Sequence, residues 1–337
     1  MRYLVILVTC LLPMLAAAQD WEDRKIFNPD AEGAVLRVIS STDTALFAPL
    51  IDDFVAQNPS VSIEYLVTGT ADIDRRVRSA PDAFDIVISS AMDLQLKLAN
   101  DGFAMAFEDI PSPAWAQWHQ SLFAFTTEPA TIVVNRDAFE GRPIPRTRQD
   151  LIESLRARPG DFAGKVGTYD IRQSGLGYLF ATQDARASET YWRLMEVMGG
   201  LNVRLYCCSG DMIQDLADGR IAVAYNVLGS YAAVQTEGKD ALEIILPSDF
   251  QTTMMRTVMV LQGSRDPDAA EAFVRHLLAD SAGSANQTQP LPLLRSDDSI
   301  DERAVIALDP ALLTFLDKLK RRKFLAAWED AVIQRRN

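Results

Sequence analysis

The residues best placed to do chemistry are short hydroxyl and glycine clusters at the ends of apolar runs. Three stand in the first ninety residues: Ser40-Ser41-Thr42, Gly69-Thr70 and Ser89-Ser90. Each precedes a helical pattern, so free backbone N–H groups and side-chain hydroxyls collect at a helix start, a setting suited to an anion. Serine, threonine and aspartate are also the preferred helix caps, and any one cluster is read as readily that way. Three at equivalent strand ends favour binding for the set. Two clusters match them later: Tyr169 to Gly175, containing Asp170, Arg172, Ser174 and Gly175, and Cys208-Ser209-Gly210-Asp211. Tyr225-Asn226 ends a further apolar strand, with an aromatic ring and an amide expected to face the same gap. Arg172 offers a positive charge for a carboxylate or phosphate, or else pairs with a neighbouring acid.

Catalytic patterns are missing. Ser174-Gly175-Leu176-Gly177 lacks the leading glycine of a nucleophile elbow. No G-x-x-x-x-G-K loop and no H-E-x-x-H pair occurs. The chain has 2 histidines, His119 and His276, and the second is expected at the solvent edge of an amphipathic helix. The reading is therefore a binder with no enzymatic activity and no cofactor.

Cys207 and Cys208 are adjacent, and in an oxidising compartment a disulfide is the ordinary outcome. Their Cα atoms lie only about 3.8 Å apart across a trans peptide, short of the usual bridge spacing. A strained bond and two free, buried thiols both remain open. Neither histidine is near the pair in sequence, so no metal is expected.

These clusters need elements to hold them. Val35 to Ser40 reads as a strand, and Leu46, Phe47, Leu50, Ile51, Phe54 and Val55 form one helical stripe ending at Asn58-Pro59. Strands at 61–67 and 84–89 alternate with a helical stretch rich in charge after Gly69-Thr70 and with a helix at about 92–100. The alternation returns with strands at 165–170, 221–226, 242–246 and 257–262, and with helices at about 177–182, 191–198, 212–218, 269–278 and 310–333. Such alternation predicts α/β sheets built from parallel βαβ units. Ligands bind beyond the carboxyl ends of such strands.

The first 18 residues carry Arg2, an apolar stretch from Leu4 to Leu15 and Ala16-Ala17-Ala18, the pattern of a cleaved signal peptide. Cys10 falls within it, and a periplasmic location follows. No later run of about 20 apolar residues would span a membrane. With 33 basic and 46 acidic residues the net charge is −13, and loss of Arg2 makes it −14. That balance argues against nucleic acid, which selects a basic face.

In this arrangement Val-Leu-Arg-Val-Ile-Ser-Ser-Thr-Asp, from Val35, resembles the opening strand and loop of periplasmic binding proteins of the ferric-iron-binding type. Gly164 to Tyr178, Ser209 to Ile213, Asp218 to Asn226 and Pro267 to Asp280 resemble that family in the same order. The resemblance implies a two-lobed fold with discontinuous lobes: a signal peptide over 1–18, a first lobe over 34–125 plus 252–300, and a second over 126–251 plus 301–337. It implies hinge crossings near Phe125 to Asn135 and Thr252 to Gln262, with Thr127 by the cleft. Iron-binding members place adjacent tyrosines after the asparagine ending this strand. Here Asn226 is followed by Val227-Leu228-Gly229, which cannot ligate a hard cation. The sequence is closer to the branch that binds organic phosphates, and the expected ligand is a small anionic solute, with ferric iron or a polyamine as the alternative. The expected partners are an ABC permease, the periplasmic domain of a sensor kinase, or both, and a monomer is expected.

Overall fold

In a computed structural model, residues 21–283, 290–294 and 304–334 are described. The segment read as a signal peptide, residues 1–18, lies outside them. The strands in chain order are β1 Asp23–Phe27, β2 Val35–Ser40, β3 Ser62–Val67, β4 Ile86–Ser89, β5 Gln117–Trp118, β6 Leu122–Ala124 and β7 Glu128–Asn135. They continue as β8 Val166–Tyr169, β9 Arg204–Tyr206, β10 Val223–Leu228, β11 Leu242–Ile245, β12 Thr253–Met254 and β13 Thr257–Val260. The helices are α1 Thr44–Gln57, α2 Thr70–Ser79, α3 Met92–Asn100, α4 Arg148–Ala157, α5 Pro159–Phe162 and α6 Gly175–Ala187. After them come α7 Thr190–Gly200, α8 Ser209–Ala217, α9 Gly229–Thr236, α10 Pro267–Gly283 and α11 Lys318–Val332.

One sheet runs β1-β3-β2-β4-β13-β6-β5, and the other runs β11-β7-β10-β8-β9 with β12 beside β7. Strand β2 pairs in parallel with β3 and β4, and β8 pairs in parallel with β9 and β10. Leu36, Val38 and Ile39 are fully buried, as a strand covered on both faces requires. Two apolar clusters fill the molecule, one on Phe47, Ile63 and Phe273 that runs on to Val133, Tyr169 and Val227 of the second sheet, the other on Leu151, Tyr191 and Trp328. The molecule is thus a two-lobed α/β protein. The chain passes between sheets from β6 to β7 and returns from β12 to β13. Bridges from Thr126 to Leu293 and from Thr253 to Val305 lie beside these crossings.

Several elements differ from the sequence reading. Strand β10 does not stop at Asn226 but continues to Leu228, with a bulge where its register against β7 shifts between Tyr225 and Val227. Asn226 takes φ 64°, a left-handed conformation that asparagine tolerates better than most residues. The segment expected as one helix over 310–333 is a 3-10 turn, Pro310–Leu316, followed by α11. Asp317, at ψ 131°, separates them, and its carboxylate accepts from the N–H groups of Leu319 and Lys320. His276 is half-buried, with its ring 5.4 Å from that of Phe54, edge to face.

The start of α6 needs a glycine for close packing. A Cβ at Gly177 would stand 2.3 Å from the Tyr169 Cβ. Gly177→Ala is expected to cost about 1–3 kcal/mol by overpacking, measured by urea denaturation. A loss below about 0.5 kcal/mol, within the usual range for surface changes, would mean that Tyr169 yields freely.

Candidate functional site

Helices start at the carboxyl ends of β2, β3, β4 and β8, at the end of β10, and after β9, and several of these starts meet between the lobes. An inner recess of about 50 Å³ is bounded by Ser41, Asp43, Thr70 and Ser90 of the first lobe and by Ser174, Cys208, Ser209 and Tyr231 of the second. It adjoins a chamber of about 510 Å³ that also touches Asp72, Arg75, Leu94, Arg172 and Arg321. Glu22, Gly69, Thr70 and Cys207 line both.

Two contacts bridge the lobes at the recess. The Thr70 Oγ1 accepts from the N–H of Gly175 at 2.9 Å and of Leu176 at 3.2 Å. These are unsatisfied amides of the first turn of α6, and a hydroxyl from the other lobe occupies them. A Cβ at Gly175 would meet Leu94 Cδ1 at 2.9 Å, so glycine permits this approach. The Asp43 N–H donates to the Tyr231 hydroxyl at 3.2 Å. Ser41 and Ser90 are paired, with Oγ atoms 3.5 Å apart and the Ser90 N–H on the Ser41 Oγ at 3.2 Å. Ser174 caps α6 through the Gly177 N–H, and Ser209 holds the Tyr169 hydroxyl at 2.5 Å and the Leu228 N–H at 3.3 Å.

Of the residues read from sequence, Ser41, Thr70, Ser90, Ser174 and Ser209 line the recess, Gly175 stands at the bridge, and Arg172 lines the outer chamber. The others point elsewhere. The Ser40 Oγ accepts from the Tyr65 hydroxyl and the Thr42 N–H, and the Ser89 Oγ accepts from the Ala91 N–H. Thr42 receives Arg256, and the Thr127 N–H donates to the Pro292 carbonyl beside the first crossing. Asp170 is engaged by Arg172 through two side-chain bonds at 2.8 and 2.7 Å, and Arg172 also lies 3.7 Å from Glu329, so much of its charge is matched. Tyr225 and Asn226 do not face the gap. The Tyr225 hydroxyl and the Asn226 Nδ2 donate to Asp184 at 2.6 and 2.8 Å inside the second lobe. With the bulge at Asn226 the amide turns inward, and Leu228 lines the recess.

The sequence reading missed two groups, Glu22 and Arg321. Glu22, just before β1, brings a carboxylate whose pKa is raised by burial and by Asp43 and Asp211 beside it. The Asp43 carboxyl is raised chiefly by burial as well. Arg321 lines the outer chamber with its guanidinium 4.7 Å from the centre of the Tyr178 ring. Among the described residues no carboxylate lies in an ion pair with it, whereas Arg75 and Arg172 each have one. Cys207 and Cys208 are free thiols in the cleft wall, the first exposed and the second half-buried. A bond to Cys207, together with burial, pushes the Cys208 thiol up, and the same bond lowers Cys207.

Close by, α3 carries a buried carboxyl. Asp93 is pushed up to about 7, chiefly by burial, although its Oδ1 accepts from the Leu94 N–H. A raised folded pKa means the native state binds the proton more tightly, so this group's contribution is full below about pH 4 and is lost as pH rises toward 7. Asp93→Asn is expected to match the parent near pH 4 and to exceed it by about 4 kcal/mol at pH 8, since holding the proton costs about 1.4 kcal/mol for every pH step between the unfolded titration and about 7. Urea titrations at both pH values check this, and a pH-independent difference would contradict it.

The profile of the family described as "Bacterial extracellular solute-binding protein" matches residues 49–314. No curated protein matches the chain. Among solved structures, the substrate binding protein of an ABC transporter from Agrobacterium tumefaciens is 29% identical with a TM-score of 0.85, over 92% of this chain and 98% of that one. The periplasmic binding protein AfuA from Actinobacillus pleuropneumoniae, with fructose-6-phosphate bound, gives TM-score 0.69 at 16% identity, over 89% and 98%. Iron-bound HitA from Pseudomonas aeruginosa gives 0.63 at 14%, over 88% and 99%. At these last two identities the likeness concerns the fold alone.

Proposed function

Because this chain belongs to the bacterial extracellular solute-binding protein family, we propose that it holds a small anionic solute, an organic phosphate or a carboxylate, between its lobes. The observation that carries this reading is the bridge at Thr70: two helix N-terminal amides of one lobe are satisfied by a hydroxyl of the other. An oxygen of an anionic ligand is a stronger acceptor for the same N–H groups. The anionic head takes the recess, with Ser41, Thr70, Ser90, Ser174 and Ser209 as its side-chain partners, and the remainder takes the outer chamber. At about 510 Å³ that chamber is within the range of small-molecule sites. Arg321 adds a positive charge that is held in no ion pair among the described residues.

The moving bodies are the lobes over 34–125 plus 252–300 and 126–251 plus 301–337. A ligand touching both shifts the population toward closure by its differential affinity. Thr127 acts at the hinge and not on the solute. The closed form then docks on an ABC permease or on the periplasmic domain of a sensor kinase. A second reading rests on Glu22 and Asp43, whose carboxylates favour a cationic solute, or a cationic group on the solute's far end.

A thermal-shift screen separates these readings. Phosphate esters, phosphonates, dicarboxylates, polyamines and ferric iron are compared on the purified protein. A ligand at about 100 times its Kd stabilises the native state by about 2.7 kcal/mol, a readily seen rise in Tm. The expected hits are anions, and Arg321→Met is expected to weaken them about tenfold, the loss of one charge-assisted contact. A shift confined to polyamines or ferric iron would overturn the anionic reading.

A further inference from the structure

Cys207 and Cys208 enter the cleft wall between β9 and α8, outside the donor set assigned to the solute. Successive residues of an extended chain ordinarily send their side chains to opposite sides. Here the two sulfurs lie 3.2 Å apart, and the Asp211 Oδ2 is 3.7 Å from the Cys207 Sγ. All three ligand atoms fall within 4.8 Å of one another. They come from one short turn, with Cys208 as the N-cap of α8 and Asp211 in its first turn, so one helix start holds the whole set.

A single tetrahedral cation tests that spacing. With metal–sulfur bonds of about 2.3 Å and a metal–oxygen bond of about 2.0 Å, the sulfurs stand about 3.8 Å apart and sulfur and oxygen about 3.5 Å. The observed separations require only a small rotation of the thiols. The geometry points to a soft-cation site formed by Cys207, Cys208 and Asp211, taking a thiophilic divalent ion of the zinc or cadmium class. Two thiolates and one carboxylate select such ions over magnesium and calcium, which prefer oxygen alone. Both thiols lose their protons on binding, which goes as S–H to S–metal with release of H⁺ and no change in oxidation state. Of the three ligands, Cys207 lines both cavities, as does Glu22 of the first lobe. A bound ion at this place therefore stands at the edge of the cleft. The sequence reading expected no metal because it looked for histidines; the carboxylate four residues beyond Cys207 is the third ligand.

Cadmium titration of the protein, kept reduced, tests the site through the ultraviolet thiolate-to-cadmium band, with affinity taken from competition by a chelator. We expect one cadmium per chain and the absorbance of two thiolates. Cys207→Ser and Cys208→Ser are each expected to halve the band and to lower affinity at least about 100-fold. Asp211→Asn is expected to lower it at least tenfold. Absence of the band, or equal cadmium affinity in the variant carrying both cysteine substitutions, would overturn the proposal. These outcomes do not depend on the solute, since none of the hydroxyl donors is altered. Loss of anion binding and loss of cadmium binding are therefore read apart.

Discussion

Arg256→Ala is expected to destabilise the protein by about 3–5 kcal/mol, the cost of leaving a buried charge without its partner. Arg256 lies between β12 and β13, at the return crossing, and both it and Glu128 at the start of β7 are fully buried. The guanidinium donates to the two carboxylate oxygens of Glu128 at 3.0 Å each and to the Thr42 Oγ1 at 2.6 Å. Ser230 donates to the same carboxylate, and the Arg256 N–H reaches the Thr126 Oγ1 at 2.9 Å. One ion pair thus ties the end of β2, both crossings and the start of α9. Removing the arginine strands Glu128, whereas Arg256→Met combined with Glu128→Leu removes both charges and is expected to recover much of the loss. Denaturant midpoints with unchanged m-values provide the comparison. A single-variant loss under about 1 kcal/mol, or a double variant worse than the single, would refute this account of the crossing.

Asp184→Ala is expected to cost a similar amount, about 3–5 kcal/mol, because four buried donors lose their shared acceptor, although Arg148 keeps Asp249 at 3.1 Å. Asp184 accepts from the Tyr225 hydroxyl at 2.6 Å, Asn226 Nδ2 at 2.8 Å, Thr252 Oγ1 at 3.1 Å and Arg148 Nη2 at 3.3 Å. Arg148 is fully buried, donates to Tyr225 as well, and stacks 3.6 Å from the centre of the Phe250 ring. Asp184→Asn keeps the shape and is expected to lose less, about 2 kcal/mol, through the weaker neutral acceptor. Calorimetric melting gives both values, and equal losses for the two variants would show that charge is not the main contribution.

Where local rules decide structure, the sequence was easily read. The boundaries of α3 and the extent of β2 follow from apolar spacing and from the serines that end the strands, and the alternation of element types accounts for the parallel pairs β2-β3, β2-β4, β8-β9 and β8-β10, though not for the antiparallel places of β1, β7, β11 and β13. The serine clusters placed the recess for the same reason: a strand end followed by a helix start faces the gap in such a fold. Three kinds of feature left no local trace. Arg256 and Glu128 are 128 positions apart, so nothing near either announces the other. The bulge at Asn226 sits in a run that is apolar on both sides, and only the pull of Asp184 on the amide turns it inward. Glu22 precedes an edge strand with Phe27 as its one buried residue, and Arg321 lies on a helix whose charged positions do not reveal which side meets the cleft.

The most direct measurement is calorimetric titration of the best solute from the screen into the parent protein, Ser90→Leu and Tyr225→Phe. Donors from both lobes converging on a shared recess predict one solute per chain, binding lost at least about 100-fold in Ser90→Leu, and parent-like affinity in Tyr225→Phe. Undiminished binding to a folded Ser90→Leu, or loss in Tyr225→Phe alone, would contradict it.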